Sequence, residues 1–355
     1  MRVLLVKTSS MGDLIHTLPA LTDASIAIPS LQVDWLVEEA FVDIPSWHPV
    51  VSEVIPVALR RLRKNIFAKA TRSEWKQWQK KLREKQYDLI LDAQGLIKSA
   101  IFTLFARGRR AGLNFRSARE SLASCVYQDR YVIDRKAHAI SRMRSLFSQA
   151  LRYPLPQGEP DFGLHRTQFQ KETQAGSVQV EPYLVFLHGT TWSSKQWPEA
   201  YWIALAEQAR KAGFRVKISG GNEEEVARAK RIAGIAKNVD VMPRLSIQEM
   251  AVLLAYSKAA VAVDTGFGHL ASALSIPTLS IYGSTDPNYT GALGKKSVHL
   301  TASFPCAPCF SRICTYKKAS VVTPACYEAI TSERVWERLK IILLKDNDRR
   351  YLLND

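Results

Sequence analysis

The chain opens Met1-Arg2-Val3-Leu4-Leu5-Val6-Lys7-Thr8-Ser9-Ser10-Met11-Gly12-Asp13, and far downstream a passage of the same form runs Val261-Ala262-Val263-Asp264-Thr265-Gly266-Phe267-Gly268-His269. In each, a short apolar run rich in branched residues ends in a small polar loop and gives way to a helical pattern. That order places both loops at the carboxyl edge of a parallel sheet. The second loop opens its helix with a row of backbone amides, a seat for a diphosphate. The first offers a carboxylate, Asp13, with little bulk around it. A loop that holds phosphate and a loop that bears a base together imply group transfer between two substrates.

Outward from the first loop, strand and helix alternate: strands at 2–6, 33–37, 54–57 and 88–92, with helical stretches at 13–28 and 38–47, a basic segment from residue 60, and a helix behind Ala93-Gln94-Gly95. Such alternation implies a parallel sheet with helices on both faces. Pro154, Pro156 and Pro160 mark a linker, after which the pattern restarts. A strand at 183–187 leads to a helix that Pro198 opens and Gly213 stops, then a strand at 214–218. Ser246-Ile247-Gln248-Glu249 is a capping box before a helix reaching Tyr256, with strands at 259–263 and 278–282 beyond it and a closing helix at 332–345. The expected fold is α/β: two doubly wound, Rossmann-like domains, 1–165 and 166–330, facing each other across a cleft. A C-terminal helix over 331–355 is free to pack back on the first domain.

The 355 residues and 46% hydrophobic content suit two cores. No stretch approaches the roughly 20 apolar residues of a membrane-spanning helix, and the opening run is too short for a signal peptide. A cytoplasmic location follows as the expectation. Lys and Arg number 49 against 33 acids, a formal charge of +16, which calls for a polyanionic partner. The excess is local, with eleven Lys/Arg and two acids between Arg60 and Lys85. Trp75, Trp78 and Leu82 recur there at helical spacing, giving an apolar stripe beside a basic face, the pattern of a helix on an anionic membrane surface. A solvated charged helix whose tryptophans pack on their own domain explains it equally well.

The dinucleotide and P-loop fingerprints are absent, which disfavours a dehydrogenase or a P-loop kinase. Asp13 is either an N-cap or a general base for a hydroxyl nucleophile, and spacing alone favours the cap. Gly12 leaves room for an acceptor. Around Asp264 and Thr265, Gly266 and Gly268 remove side chains where an anion approaches the amides; His269 is a phosphate contact or a core histidine in equal measure. Thr190, Thr191 and Lys195 are suited to a leaving phosphate, or are simply a solvated surface loop. Glu225, in Gly220-Gly221-Asn222-Glu223-Glu224-Glu225, takes ribose hydroxyls or favours a helix dipole. Cys306, Cys309, Cys314 and Cys326 are spaced C-x2-C-x4-C-x11-C. Zinc is conceivable, but the last pair lacks the usual short spacing and a reducing cytosol argues against disulfides, so free packed thiols are favoured and no metal is assigned.

The opening thirteen residues with His16-Thr17-Leu18-Pro19-Ala20-Leu21-Thr22-Asp23, together with Trp35-Leu36-Val37-Glu38-Glu39, Arg60-Arg61-Leu62-Arg63-Lys64, Asp92-Ala93-Gln94-Gly95-Leu96, Ser117-Ala118-Arg119-Glu120, Trp197-Pro198 and Tyr282-Gly283-Ser284-Thr285-Asp286-Pro287, resemble the lipopolysaccharide heptosyltransferase I family. The resemblance implies a GT-B, inverting enzyme of glycosyltransferase family 9 that moves L-glycero-D-manno-heptose from ADP-heptose to the first Kdo of Kdo-lipid A. By that likeness Asp13 is the base. Thr190, Thr191, Lys195, Glu225, Asp264, Thr265, Gly266, Gly268 and His269 hold the donor. Ser10, Gly12, Arg60, Arg61, Arg63, Lys64, Gln94, Arg119, His138 and Arg142 hold the phosphorylated acceptor. No cofactor or catalytic metal is needed, since protein cations and amides stabilise the departing diphosphate. The likeness also implies a monomer working at the cytoplasmic face of the inner membrane without nucleic acid. Addition of the second heptose, or a non-catalytic module binding a nucleotide sugar or polyanion, are the competing readings. Gly220 departs from the family, which often carries tryptophan there, and so does the cysteine cluster.

Overall fold

The computed structural model describes residues 1–58, 78–80, 82–170 and 181–345. The chain divides into two compact units, Met1–Leu164 and His165–Asp355. Each is built on a six-stranded, all-parallel sheet.

In the first unit the strands are β1 (Arg2–Val6), β2 (Gln32–Glu38), β3 (Val51–Val57), β4 (Gln86–Asp92), β5 (Arg107–Leu113) and β6 (Asp129–Tyr131), in the order β3-β2-β1-β4-β5-β6. The helices are α1 (Met11–Ile15), α2 (Leu18–Ala27), α3 (Asp43–Ser46), α4 (Ile97–Thr103) and α5 (Ala139–Leu151). The second unit repeats the plan with β7 (Tyr183–Leu187), β8 (Arg215–Ile218), β9 (Val239–Val241), β10 (Ala259–Val263), β11 (Thr278–Tyr282) and β12 (Ser297–Thr301), ordered β12-β11-β10-β7-β8-β9. Its helices are α6 (Glu199–Lys211), α7 (Glu223–Ile235), α8 (Ile247–Tyr256), α9 (Gly266–Ala273), α10 (Pro287–Thr290) and α11 (Ser332–Lys345). Counted from its own first strand, each sheet has the order 3-2-1-4-5-6, the doubly wound arrangement.

Several expectations change in detail. The helix expected over 13–28 is two, because Pro19 lacks the N–H that a continuous helix would use and instead sits in the first turn of α2. The helix expected over 38–47 shrinks to a 3-10 turn, Glu39–Phe41, and α3, which contains Pro45. Strands β5, β6, β9 and β12 fall outside the expected set: β5 and β6 carry no alternating apolar signal, and in β9 and β12 the alternation spans only two apolar residues. Asp13 is not the N-cap of its helix: Ser10 holds that position and Asp13 lies at N3.

The first core contains Leu4, Val6, Leu36, Ile55, Tyr87, Ile90 and Phe102, with Leu82 fully buried among them. Trp78 packs edge-on against Phe102 at 5.2 Å and against Phe105 at 6.0 Å between ring centroids. Two members of the apolar stripe therefore bury in their own domain, as the charged-helix reading has it. Trp75, Arg60, Arg61, Arg63 and Lys64 lie outside the described residues. Among the described residues no helix is long and apolar enough to cross a membrane.

The second core gathers around Phe186, Trp197 and Trp202, whose indoles meet edge-on at 4.9 Å. Helix α11 contributes Val335, Trp336, Leu339, Ile342 and Leu343 to this core, packing on α6 and β11. The closing helix expected to pack back on the first domain thus spends its apolar face on the second.

Gly112 on β5 lies against the Tyr127 ring, so a Cβ there would come within 2.5 Å of it. Tyr127 is pinned in turn by donating to the buried Asp92 carboxylate at 2.6 Å. Gly112→Ala overpacks this contact, and urea unfolding is expected to show a loss of about 1–3 kcal/mol with an unchanged m value.

Candidate active site

The strand order puts a topological switch point between β1 and β4 in the first unit and between β7 and β10 in the second. In such sheets ligands bind at the carboxyl ends of the strands at that point. The loops singled out after β1, β4, β7 and β10 lie there, with the Gly220 loop after β8 and the turn after β11 next to them.

In the first unit Val6 is in register with Asp92, so the loops after β1 and β4 lie side by side. The buried Lys7 donates from Nζ to Ala93 O at 3.0 Å. Thr8 donates from its amide and its hydroxyl to Gln94 Oε1, at 2.7 and 2.9 Å. Asp92 is wholly buried and accepts from Gln94 N, Gly95 N, Ser99 Oγ and Tyr127 OH at 2.7, 3.2, 2.7 and 2.6 Å. Burial pushes its carboxyl above the ordinary value, while those four donors pull the other way. Gly95 turns at φ +66°, and a Cβ there would strike Leu113 at 2.9 Å, so this loop requires glycine.

Asp13, half-buried, accepts from Ser10 N at 3.0 Å and from Ser10 Oγ at 2.8 Å, which fixes the carboxylate at the start of α1. Cations surround it. Burial lowers the Lys7 ammonium, with Asp13 and then Asp92 opposing the shift and Arg142 and Arg119 adding to it. Burial likewise lowers Arg142, against the pull of Asp13. His138 caps α5 by accepting from Ile140 N at 3.2 Å, and its ring lies edge-on to His16 at 5.6 Å. Ser10, Asp13, Gln94, Arg119 and Arg142 are thus electrostatic or hydrogen-bonded neighbours of one cluster, with His138 at the N-cap of α5 beside His16 at the C-cap of α1.

In the second unit Asp264 ends β10 and is the hub. Lys195 Nζ stands 2.6 Å from its Oδ2, Thr285 Oγ1 donates to the same oxygen at 2.7 Å, and His269 Nε2 lies 3.8 Å from Oδ1. Thr190 donates to the Asp264 carbonyl at 3.4 Å. The Lys195 ammonium also sits 4.3 Å over the Trp192 ring. Thr265 caps α9, whose first turn contains Gly266 and Gly268. A Cβ at Gly268 would come 3.0 Å from Ala262 Cβ, so that glycine also serves close helix-to-strand packing, which the anion argument did not foresee. Glu225 accepts from Gly221 N at 2.8 Å, as helix-end carboxylates do, and lies so close over Gly189 that a Cβ there would come 2.7 Å from Oε2. Gly220 has no room for a side chain, with Val226 N 2.5 Å from its ideal Cβ. Thr191 is exposed.

The sequence reading missed Lys7, Asp92, Trp192 and Thr285 as members of these clusters. Each stands within or beside a motif it had quoted, but a strand-end residue carries no mark of which neighbouring loop it will hold.

A pair of doubly wound parallel sheets, one with a carboxylate among cations and the other with a lysine beside an amide-rich helix start, defines a GT-B nucleotide-sugar glycosyltransferase. Residues 75–320 match the family described as glycosyltransferase family 9 (heptosyltransferase), and the chain belongs to it. It is 50% identical over 354 residues, covering 97% of this chain and 98% of the relative, to lipopolysaccharide heptosyltransferase 1 of Pseudomonas aeruginosa. The structure of E. coli heptosyltransferase WaaC with ADP superposes with a TM-score of 0.85 at 40% identity, over 96% of this chain and all of that one. Lipopolysaccharide heptosyltransferase 2 of E. coli is 24% identical over 316 residues, 84% of this chain and 87% of that one.

His188, buried at the end of β7, has its imidazole pushed down to about 4, chiefly by burial and secondarily by Arg228. Unfolded, it takes a proton near pH 6.5, so its contribution is present above that pH and is lost as the pH falls towards 4. Urea unfolding monitored by tryptophan fluorescence is expected to show a loss of about 2 kcal/mol from this group between pH 7 and pH 5. His188→Gln, whose amide nitrogen falls near Nε2 and keeps a donor for the Ser219 carbonyl, is expected to flatten that slope.

Proposed function

We propose that this chain is an inverting heptosyltransferase that moves L-glycero-D-manno-heptose from ADP-heptose to the first Kdo of Kdo-lipid A. Near full-length likeness to a relative named for the first transfer, at about twice the identity found for one named for the second, is the observation that carries the reading.

The reaction draws on both units. Asp13 takes the proton of the attacking Kdo hydroxyl as oxygen bonds to the anomeric carbon and the carbon–phosphate oxygen bond breaks, inverting that centre in one displacement. Its hydrogen bonds from Ser10 hold the carboxylate in one orientation before substrate arrives. ADP departs with its charge met by Lys195 and by the amides from Thr265 to His269, with Thr190 and Thr191 beside them. For a phosphate to reach Lys195, the ammonium must exchange part of its contact with Asp264 for the incoming anion. Glu225, in the first turn of α7 and over the small Gly189, takes the ribose hydroxyls, and the shallow cavity along Gly220, Asn222, Val226 and Arg244 receives the base.

Arg119, His138 and Arg142, with Arg60, Arg61, Arg63 and Lys64 of the basic segment, grip the anionic acceptor together with Ser10, Gly12 and Gln94. Since that acceptor is a lipid, the enzyme works as a peripheral protein on the cytoplasmic face of the inner membrane, aided by its surplus positive charge.

The test is ADP release with ADP-heptose and a heptose-deficient Kdo-lipid A. Asp13→Asn is expected to lower kcat by roughly 10²- to 10⁴-fold while ADP binding, followed by calorimetry, stays near wild type. Near-normal turnover would remove Asp13 as the base. Turnover only on an acceptor that already bears one heptose would assign the second transfer instead.

A further inference from the structure

A long irregular passage of the second unit runs from residue 302, past β12, to residue 324 without helix or strand. Loops of this length are uncommon in compact domains unless something beyond their own backbone fixes them. Apolar anchoring is partial: Ala302, Phe304, Ala307 and Val322 pack against the second core, while Phe310, Ile313 and Val321 are 52%, 69% and 86% exposed.

The passage is nonetheless stitched to the turn that carries Lys195. Ser194 donates from its amide to Arg312 O at 3.2 Å and from its hydroxyl to Ser311 O at 2.5 Å. Phe310 N donates to Ser284 O at 2.7 Å. Just beyond the passage, Tyr327 donates to the Lys195 carbonyl at 3.0 Å. Any device that fixed this loop would also fix the backbone beneath the lysine.

Four of the five cysteines lie in or just after the passage. Cys306, Cys309, Cys314 and Cys326 all line one cavity of about 320 Å³, together with Lys317 and Lys318. None of them forms a disulfide. The first two belong to Cys306-Ala307-Pro308-Cys309, the two-residue spacing that lets both sulfurs of one turn bind the same ion. Among the described residues no three potential ligands are gathered in coordinating positions, so an ion would have to draw these side chains inward. Cys306 and Cys309 are exposed and Cys314 half-buried on the irregular passage, so they can move toward Cys326, which is buried in the 3-10 turn Ala325–Ala329. Four thiolates around a divalent ion leave two negative charges, and the two lysines lining the cavity oppose them.

We infer that Cys306, Cys309, Cys314 and Cys326 form a structural site for one thiophilic, tetrahedral transition-metal ion, zinc or iron. Four protein ligands close the coordination sphere, so the ion does no chemistry on the sugar. It adds to the partial hydrophobic support of the passage and thereby holds the Ser193–Lys195 turn. This role stands apart from the proposed reaction, and its test does not depend on turnover.

The full chain, expressed with zinc and iron supplied and purified without chelator, is analysed by mass spectrometry for bound metal. A single ion per chain is expected, zinc or iron being told apart by element and by the visible thiolate-to-iron absorption. Replacement by Co²⁺ is expected to give the intense bands of a tetrahedral thiolate complex. Cys309→Ser should lose the ion and weaken ADP binding, whereas Cys125→Ser, in the first unit, should keep both. If Cys309→Ser fails to fold, the wild-type metal content and cobalt spectrum decide. A wild-type chain that carries no metal and gives no cobalt spectrum overturns the inference, whether its five thiols titrate freely or its mass is lowered by disulfides.

Discussion

Right-handed crossovers wind away from the centre of each sheet to opposite sides, and so leave a gap at the carboxyl ends of the two middle strands. The loops entering it must be small and must satisfy their own backbone groups, which is why Ser9, Ser10 and Gly12 occur in one unit and Gly189 and Thr190 in the other. Each gap is also organised by a buried carboxylate at the end of its fourth strand. Asp92 gathers two amides and two hydroxyls, and Asp264 gathers a lysine and a threonine. A buried carboxylate is tolerable only when so many donors converge on it, and the convergence ties neighbouring loops into one rigid edge.

The central strands were legible because parallel strands buried on both faces read as continuous apolar runs, as Val261 to Val263 and Leu184 to Leu187 do. Outer strands escaped because they offer little apolar sequence: β5, one in from the edge, begins Arg107-Gly108-Arg109-Arg110, and the edge strand β9 is only Val239–Val241. Helix ends were legible wherever chemistry marks them, as at Ser246 and Glu249, whose reciprocal bonds are both formed. The motifs at the strand ends were visible too, but their roles were not. Whether Gly268 makes room for an anion or for Ala262 depends on a neighbour several residues earlier on a strand, and a linear pattern does not record that distance.

The same limit applies to the basic segment. Its composition announces an anionic partner, but Trp78 and Leu82 are spent on the first core, against Phe102, Phe105 and Tyr87. Attraction to a charged surface therefore rests on the cations more than on that part of the apolar stripe. This matters physically, because electrostatic attachment weakens with ionic strength as hydrophobic insertion does not.

The pairing of Lys195 with Asp264 has a further consequence. A bare ammonium at the mouth of a dipole-rich helix would trap any small anion in the cell, inorganic phosphate above all. With its charge already answered from within, the Lys195 ammonium exerts little pull on a singly anchored anion. On the proposed reading, a ligand with several points of attachment outcompetes the internal counterion, and the ion pair then acts as a selectivity filter opened by the right guest.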